Sequence, residues 1–266
     1  MSLNVLTAGT GSPLLLLHGF TGTARSWGDR IETWAETYRV IAPDLLGHGG
    51  SEAPSDPAAY ALECQAAGLA DLLELLEAAP AAVVGYSMGA RLAMVLALDH
   101  PQAVDRLVLE SPSAGIAGPG DRAARVTADG RLAAEVERDG VEAFIDRWET
   151  LPLFASHVGL PQAVRAAQKA ERLRHSATGL AGSLRGAGQG AMTPLHGRLE
   201  QIACPTLVVA GTLDPVGLER ARVVAEGIPD ARLEVVAGAG HTPHLERPDD
   251  FLRITNDLLD PSHIEA

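Results

Sequence analysis

Short, continuous apolar runs separated by amphipathic stretches constrain this chain more than any other feature. Pro13–His18 (PLLLLH), Tyr38–Pro43 (YRVIAP), Ala81–Tyr86 (AAVVGY) and Arg106–Glu110 (RLVLE) predict strands buried on both faces, as in a parallel sheet covered by helices. Between them, Leu62, Ala66, Leu69, Leu73 and Leu76 recur at steps of four and three, which predicts a helical stripe. Met88–Leu98 predicts a second helix, closed by Pro101. Thr206–Ala210 (TLVVA) and Arg232–Val236 (RLEVV) resume the strand rhythm on either side of the helical GLERARVVAEGI. From about 112 to 198 no strong strand stands out, only Ala- and Arg-rich helical stretches and Pro/Gly-rich joints. The expectation is one α/β domain, residues 1–111 and 199–266, with a helical lid, residues 112–198, inserted between two strands. No internal repeat is evident.

At 266 residues and 46% apolar the chain can bury one large core. No basic-then-apolar leader opens it, and its most apolar stretch, residues 81–98, is interrupted by Ser87, Arg91 and two glycines, which argues against stable membrane insertion. Cys64 and Cys204 fall in segments that read as a buried helix and the start of a strand, with neither metal-ligand nor disulfide spacing; a reducing, cytoplasmic setting is expected. The net charge of −13 excludes nucleic acid as a partner, because neutralising phosphates needs clustered cations. Charge location is more informative than the total. Between Asp121 and Arg185 there are ten Lys and Arg against nine Asp and Glu, so this stretch carries +1 and the remainder −14. Apart from Lys169 every cation is arginine. Genome composition explains such a bias without function; where several arginines converge, their planar forks suit carboxylates. Oligomeric state is not legible.

Gly85-Tyr86-Ser87-Met88-Gly89 joins a predicted strand to a predicted helix, the context in which a serine is held on a tight turn with backbone N–H groups aimed at a developing oxyanion. Alone, the string reads equally well as a helix N-cap between turn glycines. Other elements follow in the order that a nucleophile elbow requires. Leu17-His18-Gly19-Phe20 follows the first run and offers the Phe20 N–H as a second oxyanion donor beside that of Met88; Asp214 follows TLVVA as the acid; His241, 27 residues later, follows the last strand as the base. His244 competes with His241 as base, and Glu110, at the end of RLVLE, competes with Asp214 as acid. His18 reads as a loop-structuring hydrogen-bonder, and Asp44 and His48 as turn organisers. Scattered histidines and the lack of a phosphate-cradling glycine string indicate no metal and no organic cofactor.

LHGF, DLLGHGGS, GYSMG, AGTLDP and GAGH stand in the order of the α/β-hydrolase superfamily, which the chain resembles over nearly its whole length. Within it, RLVLESPSAGI, GVEAFIDRWETLPLFAS and GLAGSLRGAGQGAMTPL resemble the 2-succinyl-6-hydroxy-2,4-cyclohexadiene-1-carboxylate synthases of menaquinone biosynthesis, the MenH type. The resemblance implies a carbon–oxygen lyase that eliminates pyruvate from a small tricarboxylate, with Ser87, polarised by His241 and Asp214, removing a ring proton and the Phe20 and Met88 amides stabilising the enolate. It also implies that arginines meet the three carboxylates: Arg91, four residues after Ser87 on the same helix face, and from the lid Arg125 and Arg174, with Tyr86 and Trp148 lining the pocket. The alternative for Arg91 is an ion pair with a neighbouring acid, that for Arg125 and Arg174 is a solvated helix face, and Arg185 competes as a lid ligand. Leu46 stands where many relatives have proline, and Ala117-Gly118-Pro119 replace polar residues that some relatives carry. A carboxylesterase or carbon–carbon bond hydrolase on the same scaffold, and a receptor that binds small molecules without turnover, are the alternative readings.

Overall fold

Leu14, Leu15, Leu16 and Leu17 are wholly buried, and they alternate between two separate apolar clusters, Leu14 and Leu16 in one and Leu15 and Leu17 in the other. Only a strand at the centre of a two-faced sheet buries consecutive side chains in this way. In the computed structural model, which describes residues 1–260, that strand belongs to a seven-stranded sheet. The strands are β1 (Val5–Ala8), β2 (Ser12–Leu17), β3 (Tyr38–Pro43), β4 (Ala81–Tyr86), β5 (Val104–Glu110), β6 (Thr206–Gly211) and β7 (Ala231–Val236). Their order is β1-β3-β2-β4-β5-β6-β7, with β1 antiparallel to β3 and every other pair parallel. The six strands expected from the apolar runs are present; β1 was not expected, because VLTA is short and half-buried.

The helices are α1 (Arg30–Ala35), α2 (Leu62–Leu75), α3 (Met88–Asp99), α4 (Pro119–Trp148), α5 (Gln162–Arg172), α6 (Ala177–Gly186), α7 (Pro215–Gly227), α8 (Pro243–Glu246) and α9 (Pro248–Leu259). On one face of the sheet, Leu62, Ala66, Leu69 and Leu73 of α2 join Leu92 and Leu96 of α3 and Val224 of α7; on the other, Ile31 and Trp34 of α1 meet Phe251 and Ile254 of α9. Cys64 is a correction to the buried reading: it is exposed, because two residues beyond Leu62 a helix has turned about 200°. Cys204 lies just before β6, where burial pushes its thiol up to about 11, so it is no reactive nucleophile. Between β5 and β6 the chain is helical, and α4 and α6 enclose a small core of their own around Val136, Phe144, Ile145 and Leu180. Gly140 (φ 83°) breaks α4 before its last two turns.

Buried histidines tie this helical segment to the strand ends. His48 lies between His18 and His175, each ring 5.1 Å from its own. The Leu45 N–H donates to His18 Nε2 at 2.9 Å and the Gly49 N–H to His175 Nδ1 at 2.9 Å, so both rings serve as neutral acceptors. Burial, first among the causes, brings His18 down to about 4 and lowers His48 and His175 as well. An unfolded histidine titrates near 6.5, so between that value and about 4 the unfolded chain binds more protons than the native one, and stability declines as pH drops. The denaturant midpoint is therefore expected to fall steadily from pH 6.5 to 4; a flat profile over that window would show that these rings are not held neutral.

Candidate active site

Ser87 links β4 to α3 in a conformation unusual for a side-chain-bearing residue, φ 51° and ψ −103°. The flanking glycines explain how so sharp a turn closes. A Cβ on Gly89 would lie 2.0 Å from the Leu17 carbonyl oxygen, and one on Gly85 would lie 2.5 Å from that of Gly89. The Ser87 N–H donates to the Glu110 carbonyl at 2.9 Å, which fixes the turn to the end of β5. Ser87 Oγ lies 3.1 Å from His241 Nε2, and His241 Nδ1–H donates to Asp214 Oδ2 at 2.7 Å. A carboxylate can only accept, so Asp214 sets the tautomer and leaves Nε2 to accept the Ser87 proton. Burial acts to raise the Asp214 pKa, but hydrogen bonds from His241 and from the Gly217 N–H (2.9 Å) outweigh it and hold the carboxyl below the usual aspartate range. Phe20 and Met88 border the same cavity as Ser87 and His241. Among the described residues neither of their backbone N–H groups has an acceptor, as suits donors waiting for an oxyanion.

That cavity is strongly cationic. Arg91 is 7% exposed and makes no ion pair among the described residues; its Nη1 donates to the Ala187 carbonyl at 2.7 Å. Burial, then the like charges of Arg125 and Arg220, opposed by Asp129, bring its pKa down to about 10, so it stays charged at neutral pH. Arg125 also borders the cavity and pairs through Nε with Asp129 Oδ1 at 2.8 Å. Arg220, on α7, completes the group and forms no ion pair among the described residues. Trp148 closes one wall, stacked on Phe144 with ring centroids 5.7 Å apart and set edge-on to Phe20 at 5.1 Å; its indole N–H is buried without a partner among the described residues.

The α/β-hydrolase fold family matches residues 12–248 of this sequence. The chain belongs to that family. A Bacillus subtilis (strain 168) candidate 2-succinyl-6-hydroxy-2,4-cyclohexadiene-1-carboxylate synthase is 38% identical over 92% of this chain and 89% of its own length. The structure of MenH from S. aureus superimposes with a TM-score of 0.91 at 31% identity, over 97% of each chain. A thermophilic esterase from Thermogutta terrifontis, solved with malate bound, superimposes with a TM-score of 0.85 at 28% identity, over 98% of this chain and 94% of its own.

The structure places several of the expected site residues elsewhere. Arg174 is not brought to the cavity: its side chain is 56% exposed and lies 3.6 Å from Glu171, beside a depression bordered by Asn4, Arg25 and Asp44. It sits on the turn after α5, where Glu171, bonded to Thr23, holds it outside. Arg185 likewise points away, paired with Glu137. Tyr86 stands behind the histidine rather than on the cavity wall, its ring 5.6 Å from that of His241 and 5.0 Å from that of His244. Arg220 was missed. The rival acid and base pair with each other instead: Glu110 is fully buried and accepts from the His244 backbone N–H at 2.8 Å and its Nδ1 at 2.9 Å. Glu246 has a supporting position, since its carboxylate accepts from the amides on both sides of His241, Gly240 at 2.8 Å and Thr242 at 3.1 Å, and also from Ser156. Beside it, His157 Nε2–H donates to Thr242 Oγ1 at 2.6 Å.

Proposed function

We propose that this hydrolase-fold protein is a 2-succinyl-6-hydroxy-2,4-cyclohexadiene-1-carboxylate synthase, a lyase of menaquinone biosynthesis that acts on 2-succinyl-5-enolpyruvyl-6-hydroxy-3-cyclohexene-1-carboxylate in the cytoplasm. The observation that carries the reading is Arg91: a buried guanidinium without a carboxylate partner, one helical turn from Ser87. An isolated buried cation costs several kcal/mol, and its natural compensation is an anionic substrate. With Arg125 and Arg220, the cavity offers three cations to a molecule with three carboxylates.

Ser87, His241 and Asp214 act as the proton relay. His241 takes the Ser87 hydroxyl proton, the serine oxygen removes an acidic ring proton, and electron density moves into the succinyl carbonyl, where the Phe20 and Met88 N–H groups meet it. The density then returns through the ring, shifting the existing double bond and forming a second one as the carbon–oxygen bond to the enolpyruvyl group breaks; the departing pyruvate enolate takes a proton on carbon, and loss of that proton from the relay returns His241 and Ser87 to their starting states. No water enters and no acyl-enzyme forms. Residues 112–198 act as the lid over a core made of residues 1–111 and 199–260, with Trp148 as its cavity wall; the expected core segment 261–266 lies outside the described residues. Among the described residues no helix is long and apolar enough to cross a membrane, and no group of side chains is suited to hold a metal ion.

Purified protein is expected to release one pyruvate per enolpyruvyl substrate consumed, followed through lactate dehydrogenase, with little turnover of p-nitrophenyl esters. Rapid ester cleavage without pyruvate would make it a hydrolase, the chemistry of the Thermogutta relative, whose structure holds an anionic hydroxy-acid. Tight ligand binding with neither product would make it a receptor.

A further inference from the structure

His241 is carried on the connection between β7 and α8, and a base on a connection must be held at its backbone as well as at its ring. Asp214 takes the Nδ1 proton, and Glu246 grips the amides on either side. The carbonyl of His241 itself accepts from Ser111 Oγ at 2.8 Å. Ser111 is buried, follows the last residue of β5 and, like Ser87, has a positive φ, 49°. A side-chain-bearing residue in that conformation is strained, and such strain persists where surrounding contacts over-determine it. Here the Ser111 N–H donates to the Val209 carbonyl of β6 at 2.8 Å while the hydroxyl holds His241.

The place of this bond in the sheet gives it a use. Tyr86 of β4 lies in register with Glu110 of β5, so Ser87 and Ser111 leave neighbouring strands in step. The Glu110 carbonyl accepts from the Ser87 N–H at 2.9 Å, and the next residue donates to the His241 carbonyl. Two consecutive residues thereby set both ends of the 3.1 Å contact between Ser87 Oγ and His241 Nε2. We infer that Ser111 is a positioning residue: its hydroxyl fixes the backbone of His241 to the strand end that also fixes Ser87, and so maintains the distance across which the proton moves. This role belongs to the relay and does not depend on which substrate the cavity takes. Ser111 also borders the cavity, so direct contact with the ligand is the competing role, and that would show in KM.

Two variants and two readouts test it. Ser111→Ala removes the hydroxyl and keeps a Cβ; Ser111→Gly also removes it but adopts the positive φ without strain. In both, kcat for pyruvate release is expected to fall about 10- to 100-fold, the scale of a misplaced reacting group, with KM little changed. The second readout needs no substrate: a fluorophosphonate, which Ser87 attacks at phosphorus, expelling fluoride as His241 takes the hydroxyl proton. The rate of labelling at Ser87 is expected to fall by a similar factor in both variants. Wild-type rates in Ser111→Gly would place the role in the turn and not in the hydroxyl, and a raised KM with unchanged labelling would make Ser111 a ligand contact; either overturns the inference, as do unchanged rates in both variants or a wild-type protein that the probe leaves unlabelled. If Ser111→Ala folds poorly, Ser111→Gly carries the test. Wild-type protein that is labelled but releases no pyruvate loses the proposed reaction, and the labelling rates of the variants then decide the role of Ser111 by themselves.

Discussion

Ser87→Ala is expected to lower kcat for pyruvate release by about 10²–10⁴-fold, the usual contribution of a positioned acid–base group, with KM little changed. The hydroxyl is the atom 3.1 Å from His241 Nε2, whereas the guanidinium groups that would bind carboxylates lie on other residues and stay in position. Steady-state pyruvate assays on the variant give both constants. A loss below tenfold would mean that His241 itself, or a water it holds, removes the ring proton. Because the serine is assigned as base and not nucleophile, wild-type enzyme quenched during turnover is also expected to show no mass adduct on Ser87. An adduct would convert the assignment to covalent catalysis.

Arg91→Met is expected to act in opposite directions on activity and stability. Truncating one partner of a buried charge pair costs about 2–5 kcal/mol of binding, which corresponds to a loss in kcat/KM of roughly 30- to 5,000-fold. In the ligand-free protein, however, Arg91 is a buried cation beside two like charges, and among the described residues the one oxygen to which it donates is the Ala187 carbonyl. Methionine fills a comparable apolar volume without that penalty, so the denaturant midpoint is expected to hold or rise. Loss of stability together with activity would identify Arg91 as a structural residue. Unchanged kinetics would remove it from the ligand site.

The sheet was legible because burial on both faces leaves continuous apolar runs, and the elbow because only glycine fits beside Leu17 and Ala90 at Gly89 and Gly85. The edge strand β1 escaped, since a four-residue strand with partial exposure leaves no such run. Arg174 and Arg220 mark the limit of reading single residues. Arg220 lies within α7 and Arg174 on the turn just after α5, and which one reaches the cavity depends on how those elements sit over the sheet. A signal for Arg220 did exist. Asp214 caps α7 through the Gly217 N–H, and Arg220 follows Gly217 by three residues, which returns it to the same side of the helix as the acid.

Glu246 fastens the two amides that flank His241 and, with the same carboxylate, Ser156 of the segment Pro152–Gly159. One carboxylate thereby joins the loop that carries the imidazole to a helical segment contributed from between β5 and β6, so loss of the charge at Glu246 would disturb both attachments at once.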